Sequence, residues 1–161
     1  MRRITTAHIL ADKALDEPCG QRCVDWAISM LLEGRDGEYL TRLAGMLPPY
    51  NHFEVAALRD NALREQAIVA LDPRVAVLTH ATEQLRMALS DDVELVEAVA
   101  LAHDLCISLD YAKELFDFYL LFNAYQDLLT AEVQWYWNGA TSENIVAIIR
   151  ERAAQFVGHN P

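Results

Sequence analysis

The sequence predicts an all-α protein, a single-domain bundle of six to eight helices that spans residues 1–161. Apolar residues recur at spacings of three and four along most of the chain, and no stretch alternates between apolar and polar residues as a strand does. Residues that typically begin and end helices separate these stretches. The chain has 161 residues, which is long enough for one domain to bury a core without disulfides or metal, and its apolar content of 53% is that of a globular protein.

Three helices are predicted before residue 47. The first runs from about Thr6 to Leu15. Pro18 lies in the first turn of the second helix, where a missing N–H does no harm, and Gly34 ends that helix as a left-handed cap. Asp36 caps a short third helix. The residues expected on the buried faces are Cys23, Trp26, Ala27, Met30, Leu31, Tyr39, Leu40, Leu43 and Met46.

The segment LPPYNHFEVAAL, residues 47–58, has the features of a corner between two helices. Its two prolines stop the third helix, and Asn51 with Glu54 has the spacing of a capping box. Tyr50 and Val55 have the spacing of a hydrophobic staple, and His52 is left without a structural role. The residues expected to be buried in the fourth helix are Val55, Leu58, Ala62 and Ala67 or Ile68.

Two further helices are predicted between residues 72 and 109. Asp72 and Pro73 begin the first of them as N-cap and first helical residue, and Ser90 or Asp91 begins the second. The expected buried residues of the first are Val75, Leu78, Ala81 or Thr82, Leu85 and Leu89. Those of the second are Val96, Val99 or Ala100, His103 and Ile107.

The longest helix is predicted over residues 110–137, and its apolar surface makes it the central helix of the bundle. Asn138 and Gly139 end it, and Thr141 or Ser142 caps a last helix. The residues that recur along the long helix are Tyr111, Leu115, Phe118, Phe122, Tyr125, Leu129, Glu132 and Tyr136. Those expected to face inward in the last helix are Ile145, Ile148, Ile149, Ala153 and Phe156.

The charge distribution favours a protein partner over a nucleic acid or a membrane. The net charge is −11, and between Arg86 and Arg150 the only basic residue is Lys113, against eleven acidic residues. This field repels polyanions and attracts a basic protein. The other interpretation is that the acidic residues only keep the protein soluble.

The predicted partner-binding surface extends from Asp91 to Asp117, with Trp137 as its apolar anchor, because exposed tryptophan is typical of interface hot spots. The acidic residues expected to steer the partner are Asp104, Asp110, Glu114 and Asp117. No catalytic motif, redox pair or Gly-rich phosphate loop occurs in the sequence, which favours a non-enzymatic protein without a cofactor. A structural homodimer is a further alternative.

A second hypothesis is a metal-binding protein or enzyme. His80 and Glu83 are three residues apart, and His103 lies on the next predicted helix, where it can approach them. Glu132 lies on the apolar stripe of the longest helix and is expected to be buried. It therefore needs a partner, for which Arg150 or Arg152 is expected.

The cysteines and the first residues indicate a cytoplasmic protein. The cysteine count of three is odd, and the spacing of Cys19 and Cys23 does not suggest a disulfide framework. The N-terminal residues have no apolar core typical of a signal peptide, and no stretch is apolar enough to span a membrane.

Three segments, DWAISMLLEG, LAGMLPPYNHFEV and VQWYWNGATSENI, resemble in order and spacing a family of small, uncharacterised bacterial proteins. The resemblance extends over most of the chain and implies a bacterial, cytoplasmic, all-helical protein. It implies no activity and no catalytic residue. Small proteins of this type resemble immunity or accessory proteins that are encoded near toxins, which is the class of function expected here.

Overall fold

The computed structural model describes residues 4–161 and confirms the all-α prediction, since every regular element in this range is a helix. The helices are α1 (Thr6–Ala14), α2 (Gly20–Leu32), α3 (Glu38–Ala44), α4 (His52–Glu65), α5 (Pro73–Ala88), α6 (Asp92–Ser108), α7 (Phe116–Leu128) and α8 (Ile145–His159). The chain divides into two compact units, Met1–Val77 and Leu78–Pro161. The organisation as a single domain stays a prediction.

The core of unit 1 is built around Trp26. Helix α2 packs against α1, α3 and α4, and the Trp26 side chain is only 1% exposed. Its indole Nε1 donates a hydrogen bond to Oγ1 of Thr6, at 3.1 Å, so the polar end of the ring is satisfied by α1. The ring therefore fixes α2 against α1 through both packing and hydrogen bonding.

The expectation that the cysteines would not pair is wrong for two of them. Cys19 and Cys23 form a disulfide, and their Cα atoms are 5.5 Å apart, within the usual range. The two cysteines are four residues apart, so their side chains lie one helical turn apart at the start of α2, where they can meet. The cytoplasmic prediction loses the support that it took from unpaired cysteines.

Thiol counting tests this disulfide. We expect denatured protein, purified without reductant, to be alkylated at Cys106 alone and reduced protein to be alkylated at all three cysteines. Intact mass gives the number of labels, and a Cys106→Ala variant should take none before reduction. Labelling of all three cysteines before reduction would contradict the disulfide.

Two predicted helix starts in unit 1 are wrong. Pro18 precedes α2, because the N-cap is Cys19. The N-cap of α3 is Gly37 rather than Asp36, and the backbone N–H groups at the start of α3 donate to the carboxylate of Glu65 in α4, at 3.2 Å. The cap is supplied by another helix, so local sequence patterns do not reveal it.

The predicted N-cap of α4 is confirmed at the corner of residues 47–51, whereas α3 ends at Ala44, before the two prolines that were expected to stop it. Asn51 is the N-cap of α4, and its Oδ1 accepts the N–H of Glu54 at 3.1 Å. Val55 is buried, and Tyr50 packs against the same core. The Tyr50 hydroxyl donates to Gln21, and its ring lies so close to Gly20 that a Cβ there would approach it to 3.3 Å. The Pro48–Pro49 peptide bond is cis.

The residues after α4 refine the predicted buried set. Helix α4 ends at Glu65, before both of the alternatives considered for its last buried position. Ala67 is exposed and has a positive φ of 56°, whereas Ile68 packs against the core of unit 1. Ile68 is therefore the correct alternative, although it lies outside the helix.

The starts of α5 and α6 are confirmed. Asp72 accepts the backbone N–H groups at the start of α5, and Asp91 accepts the N–H of Glu94 at 2.9 Å. Their predicted stripes are partly wrong, because Val75 and Ile107 are exposed. Val99 is buried, as one of the two predicted alternatives. The other residues that α6 buries are Leu95, Ala98, Ala102, Leu105 and Cys106.

The predicted long helix over residues 110–137 is wrong in its length. Asp110 and Tyr111 have positive φ angles of 54° and 60°, so the chain turns there before α7 begins at Phe116. Helix α7 ends at Leu128, and residues 129–144 form a loop. The repeat of apolar residues therefore spans a turn, a helix and a loop.

The N-cap of α8 lies three residues after Thr141 and two after Ser142, the two alternatives predicted. This N-cap is Asn144, whose Oδ1 accepts the N–H of Thr141 at 2.6 Å. Unit 2 is built by the packing of α6, α7 and α8 on one another. The residues of α8 buried there are Ile145, Ile149, Ala153 and Phe156, as predicted, whereas Ile148 is half-buried.

Candidate functional site

The four acidic residues predicted to steer a partner differ in their surroundings. Asp104, near the end of α6, and Asp110, in the turn after it, are exposed. Glu114 and Asp117 are half-buried. Only Asp104 and Asp110 therefore present their carboxylates openly to solvent.

Asp117 is committed to an ion pair within unit 2. Its Oδ2 accepts from Nε of Arg152 at 2.6 Å, and the guanidinium lies 5.7 Å above the ring centre of Phe118. Arg150 of the same helix pairs with Asp92. The two arginines of α8 thus offset two of the eleven acidic residues between Arg86 and Arg150.

Most of those eleven acidic side chains are exposed. We call the exposed members the acidic set; they are Asp91, Asp92, Glu94, Glu97, Asp104, Asp110, Glu132 and Glu143. Glu97 and Asp104 are seven residues apart in α6 and so lie on the same side of that helix.

The expectation that Glu132 would be buried and paired is wrong. Glu132 is exposed in the loop after α7, and the two candidate arginines bind Asp92 and Asp117 instead. The prediction placed Glu132 on a helix that in fact ends at Leu128, so its position on an apolar stripe had no structural counterpart.

The exposed tryptophan is Trp135 rather than the predicted Trp137. The Trp135 side chain is 90% exposed, whereas Trp137 is half-buried. The spacing of the two tryptophans predicted that they point in different directions, but it did not predict which of them is exposed to solvent. Val133 and Tyr136, beside Trp135, are also exposed.

Residues 129–144, which we call the Trp135 loop, are held by the side chain of Gln134. Its Oε1 accepts the N–H groups of Tyr136 and Trp137, both at 2.8 Å. Its Nε2 donates to the carbonyls of Trp137, at 2.5 Å, and Ala140, at 3.2 Å. One amide side chain thus satisfies four backbone groups that no helix pairs.

Asn144 holds the other end of the Trp135 loop. Its Oδ1 accepts the N–H of Thr141, and its Nδ2 donates to the carbonyl of Gly139 at 3.0 Å. Gly139 has a positive φ of 82°, which a residue with a Cβ rarely adopts. The loop therefore has a fixed backbone while its largest aromatic side chain points into solvent.

Aromatic rings pack between α6 and α7 beside Asp104. The imidazole of His103 stacks on Tyr119, with ring centres 5.1 Å apart, and contacts Phe122 at 5.0 Å. Nδ1 of His103 lies 2.9 Å from Oδ1 of Asp104. These contacts give His103 a structural position next to the acidic set, where Tyr111 and Phe116 extend the aromatic surface over Tyr119.

The predicted metal-ligand set is not assembled. Within residues 4–161, no group of three or more His, Cys, Asp or Glu side chains is arranged to hold a metal ion. The His80 side chain is buried in α5, whereas His103 stacks on Tyr119 and contacts Asp104. His80, Glu83 and His103 therefore do not converge on one point.

Cys106 is the free cysteine of the described chain, and it is buried. Burial raises the pKa of its thiol, and the charge of Glu114 raises it further. The Sγ atom donates to the carbonyl of Ala112 at 3.5 Å. A buried thiol that stays protonated is a poor nucleophile, so Cys106 serves the packing of unit 2.

No protein-family model, curated protein or solved structure matches the chain significantly. The resemblance to small bacterial proteins stays a prediction. Across residues 4–161, none of the helices combines the length and the apolar character that crossing a bilayer requires.

Proposed function

We propose that this protein is a non-enzymatic binding module that uses unit 2 to engage a basic partner protein. The observation that carries the proposal is the 90% exposure of Trp135 in a loop whose backbone is fixed by Gln134 and Asn144. The acidic set supplies the charge that complements such a partner.

An exposed tryptophan in an ordered loop is well suited to recognition. Tryptophan is enriched among the residues whose truncation costs about 2 kcal/mol or more of binding free energy. Because the hydrogen bonds of Gln134 order the loop before binding, less conformational entropy is lost when a partner covers Trp135.

The acidic set favours rapid association with a basic surface. Between Arg86 and Arg150 the sequence has one lysine and eleven acidic residues, and most of the acidic side chains are exposed. Long-range attraction of this kind accelerates encounter and weakens as salt is added. The charges steer the partner, whereas Trp135 supplies the contact that slows its dissociation.

The class of function that we propose is that of an immunity or accessory protein, which acts by covering a partner. This part of the proposal rests on the resemblance of the three sequence segments. Binding through Trp135 and the acidic set needs no catalytic residue, as expected of a non-enzymatic protein.

Affinity capture from a lysate of the source organism tests the proposal. We expect the wild-type protein to retain a basic protein at low salt and to retain less of it at high salt. Trp135→Ala should lose that protein. Leu32→Ala should keep it, because Leu32 is a comparably exposed apolar residue in unit 1, at 84%.

Capture of no basic protein at either salt concentration would contradict the proposal. Equal capture by wild type and Trp135→Ala would contradict the role of the loop. Sedimentation of the purified protein distinguishes the homodimer alternative: a dimer that Trp135→Ala dissociates would assign the exposed tryptophan to self-association instead.

A further inference from the structure

A cavity of about 560 Å³ opens in unit 2 at the C-terminal part of α8, with a wall that combines apolar and basic side chains. This volume is within the range of small-molecule sites. Leu78 of α5 and Phe156 of α8 supply apolar lining, and Lys113, Arg152 and His159 supply nitrogen atoms. The cavity is thus suited to a ligand with an apolar body and a polar end.

Lys113 is the first observation that points to an anionic ligand. It is the only basic residue between Arg86 and Arg150, it lies beside the cavity, and its ammonium group forms no ion pair or hydrogen bond. Eleven acidic residues occur in the same stretch of sequence, yet none of them forms an ion pair with Lys113. A lysine ammonium with three open donors can bind a carboxylate directly.

The position of Arg152 also favours an anionic ligand. Its Nε binds Asp117 at 2.6 Å and its guanidinium lies over Phe118, so the group is held in one place. The bond to Asp117 uses only one of the five N–H donors of a guanidinium, and the terminal nitrogens form no other hydrogen bond. A fixed guanidinium with open donors matches the geometry of a carboxylate.

The end of α8 at this cavity is also held in place. Arg86 of α5 donates to the backbone carbonyl of Asn160 at 2.9 Å. Nδ1 of His159 lies 2.7 Å from the carbonyl of Gln155; since a carbonyl only accepts, Nδ1 carries the proton in this contact. Nε2 of His159 is thereby left as the ring nitrogen that can meet a ligand.

The negative groups nearby limit the charge of the ligand. Glu114 lines the cavity and Asp117 binds Arg152, so that part of the positive charge is already offset. A second negative charge on the ligand would meet these carboxylates and be repelled. A singly charged carboxylate is therefore favoured over a phosphate dianion.

We propose that this cavity binds a small organic monocarboxylate with an apolar body, whose carboxylate contacts Lys113 and Arg152 and whose body packs on Leu78 and Phe156. The site is independent of the partner-binding surface, because Trp135 and the members of the acidic set do not line the cavity. The ligand class follows from the unpaired ammonium, the fixed guanidinium and the apolar lining.

Titration of the full chain with benzoate and octanoate, followed by backbone and arginine side-chain NMR, tests the site. The neutral amides of both acids and inorganic phosphate serve as comparison ligands. We expect saturable shifts at Arg152, Phe156 and His159 with at least one carboxylate, in the micromolar to millimolar range, and none with the amides or phosphate.

Lys113→Met should weaken carboxylate binding by about tenfold or more, because it removes the charge and keeps the length of the side chain. Arg35→Met is the matched control, since Arg35 is an exposed and unpaired cation in unit 1. The proposal is overturned if no carboxylate gives saturable shifts, or if an amide or phosphate gives saturable shifts at the same residues. It is also overturned if Lys113→Met binds the carboxylate as tightly as Arg35→Met and the wild type do.

Discussion

Replacing Trp26 by alanine is expected to lower the free energy of unfolding by about 3–5 kcal/mol. The side chain is 1% exposed at the junction of α1 and α2, so its loss leaves a large cavity. It also removes the hydrogen bond to Thr6. This loss is the smaller one, because the Thr6 hydroxyl can bind water instead, whereas the cavity cannot be filled. Denaturant unfolding followed by circular dichroism measures the change.

The other two tryptophans provide the comparison. Trp135→Ala makes the same chemical change at a side chain that is 90% exposed and should alter the unfolding free energy by no more than about 0.5 kcal/mol. Trp137→Ala, at a half-buried position, should fall between them. A loss in Trp135→Ala as large as that in Trp26→Ala would show that the burial assigned to these residues is wrong.

Replacing Gln134 by alanine is expected to release the Trp135 loop while the helices of unit 2 stay folded. The change removes four hydrogen bonds to backbone groups, each worth about 1 kcal/mol. The amides of Tyr136 and Trp137 should therefore exchange with solvent about tenfold to a hundredfold faster. Hydrogen exchange followed by NMR measures these two rates against those of α7.

Gln134→Glu separates the two halves of this interaction. A glutamate keeps the oxygen that accepts the N–H groups of Tyr136 and Trp137, but it loses the donor to the carbonyls of Trp137 and Ala140. Its effect on exchange should lie between those of wild type and Gln134→Ala. Unchanged exchange in Gln134→Ala would mean that other contacts order the loop.

Helix starts that depend on one local side chain were predictable. Asn51, Asp72 and Asp91 each accept backbone N–H groups within three residues of themselves, and the sequence pattern contains both partners. The start of α3 was not predictable in this way. Its N–H groups bind Glu65, which is distant in sequence, so no local pattern records the interaction.

The candidate site was predictable in its charge but not in its geometry. The excess of acidic residues is a property of the sequence, and Asp104 and Asp110 are exposed as expected. The apolar spacing continues past Leu128, so it did not reveal that the helix ends there and a loop follows. Spacing alone also does not show that the Gln134 side chain pairs backbone groups that would otherwise pair within a helix. The polar residues Asn138, Gly139 and Asn144 were the available signal of a loop.

The affinity of the captured basic partner for Trp135→Ala is the most direct test of the proposed binding surface. With purified partner and calorimetry, we predict a dissociation constant about thirtyfold higher than that of the wild type, corresponding to about 2 kcal/mol, and an unchanged constant for Leu32→Ala. Equal affinity of Trp135→Ala and wild type would contradict the assignment of the Trp135 loop as the site that holds the partner.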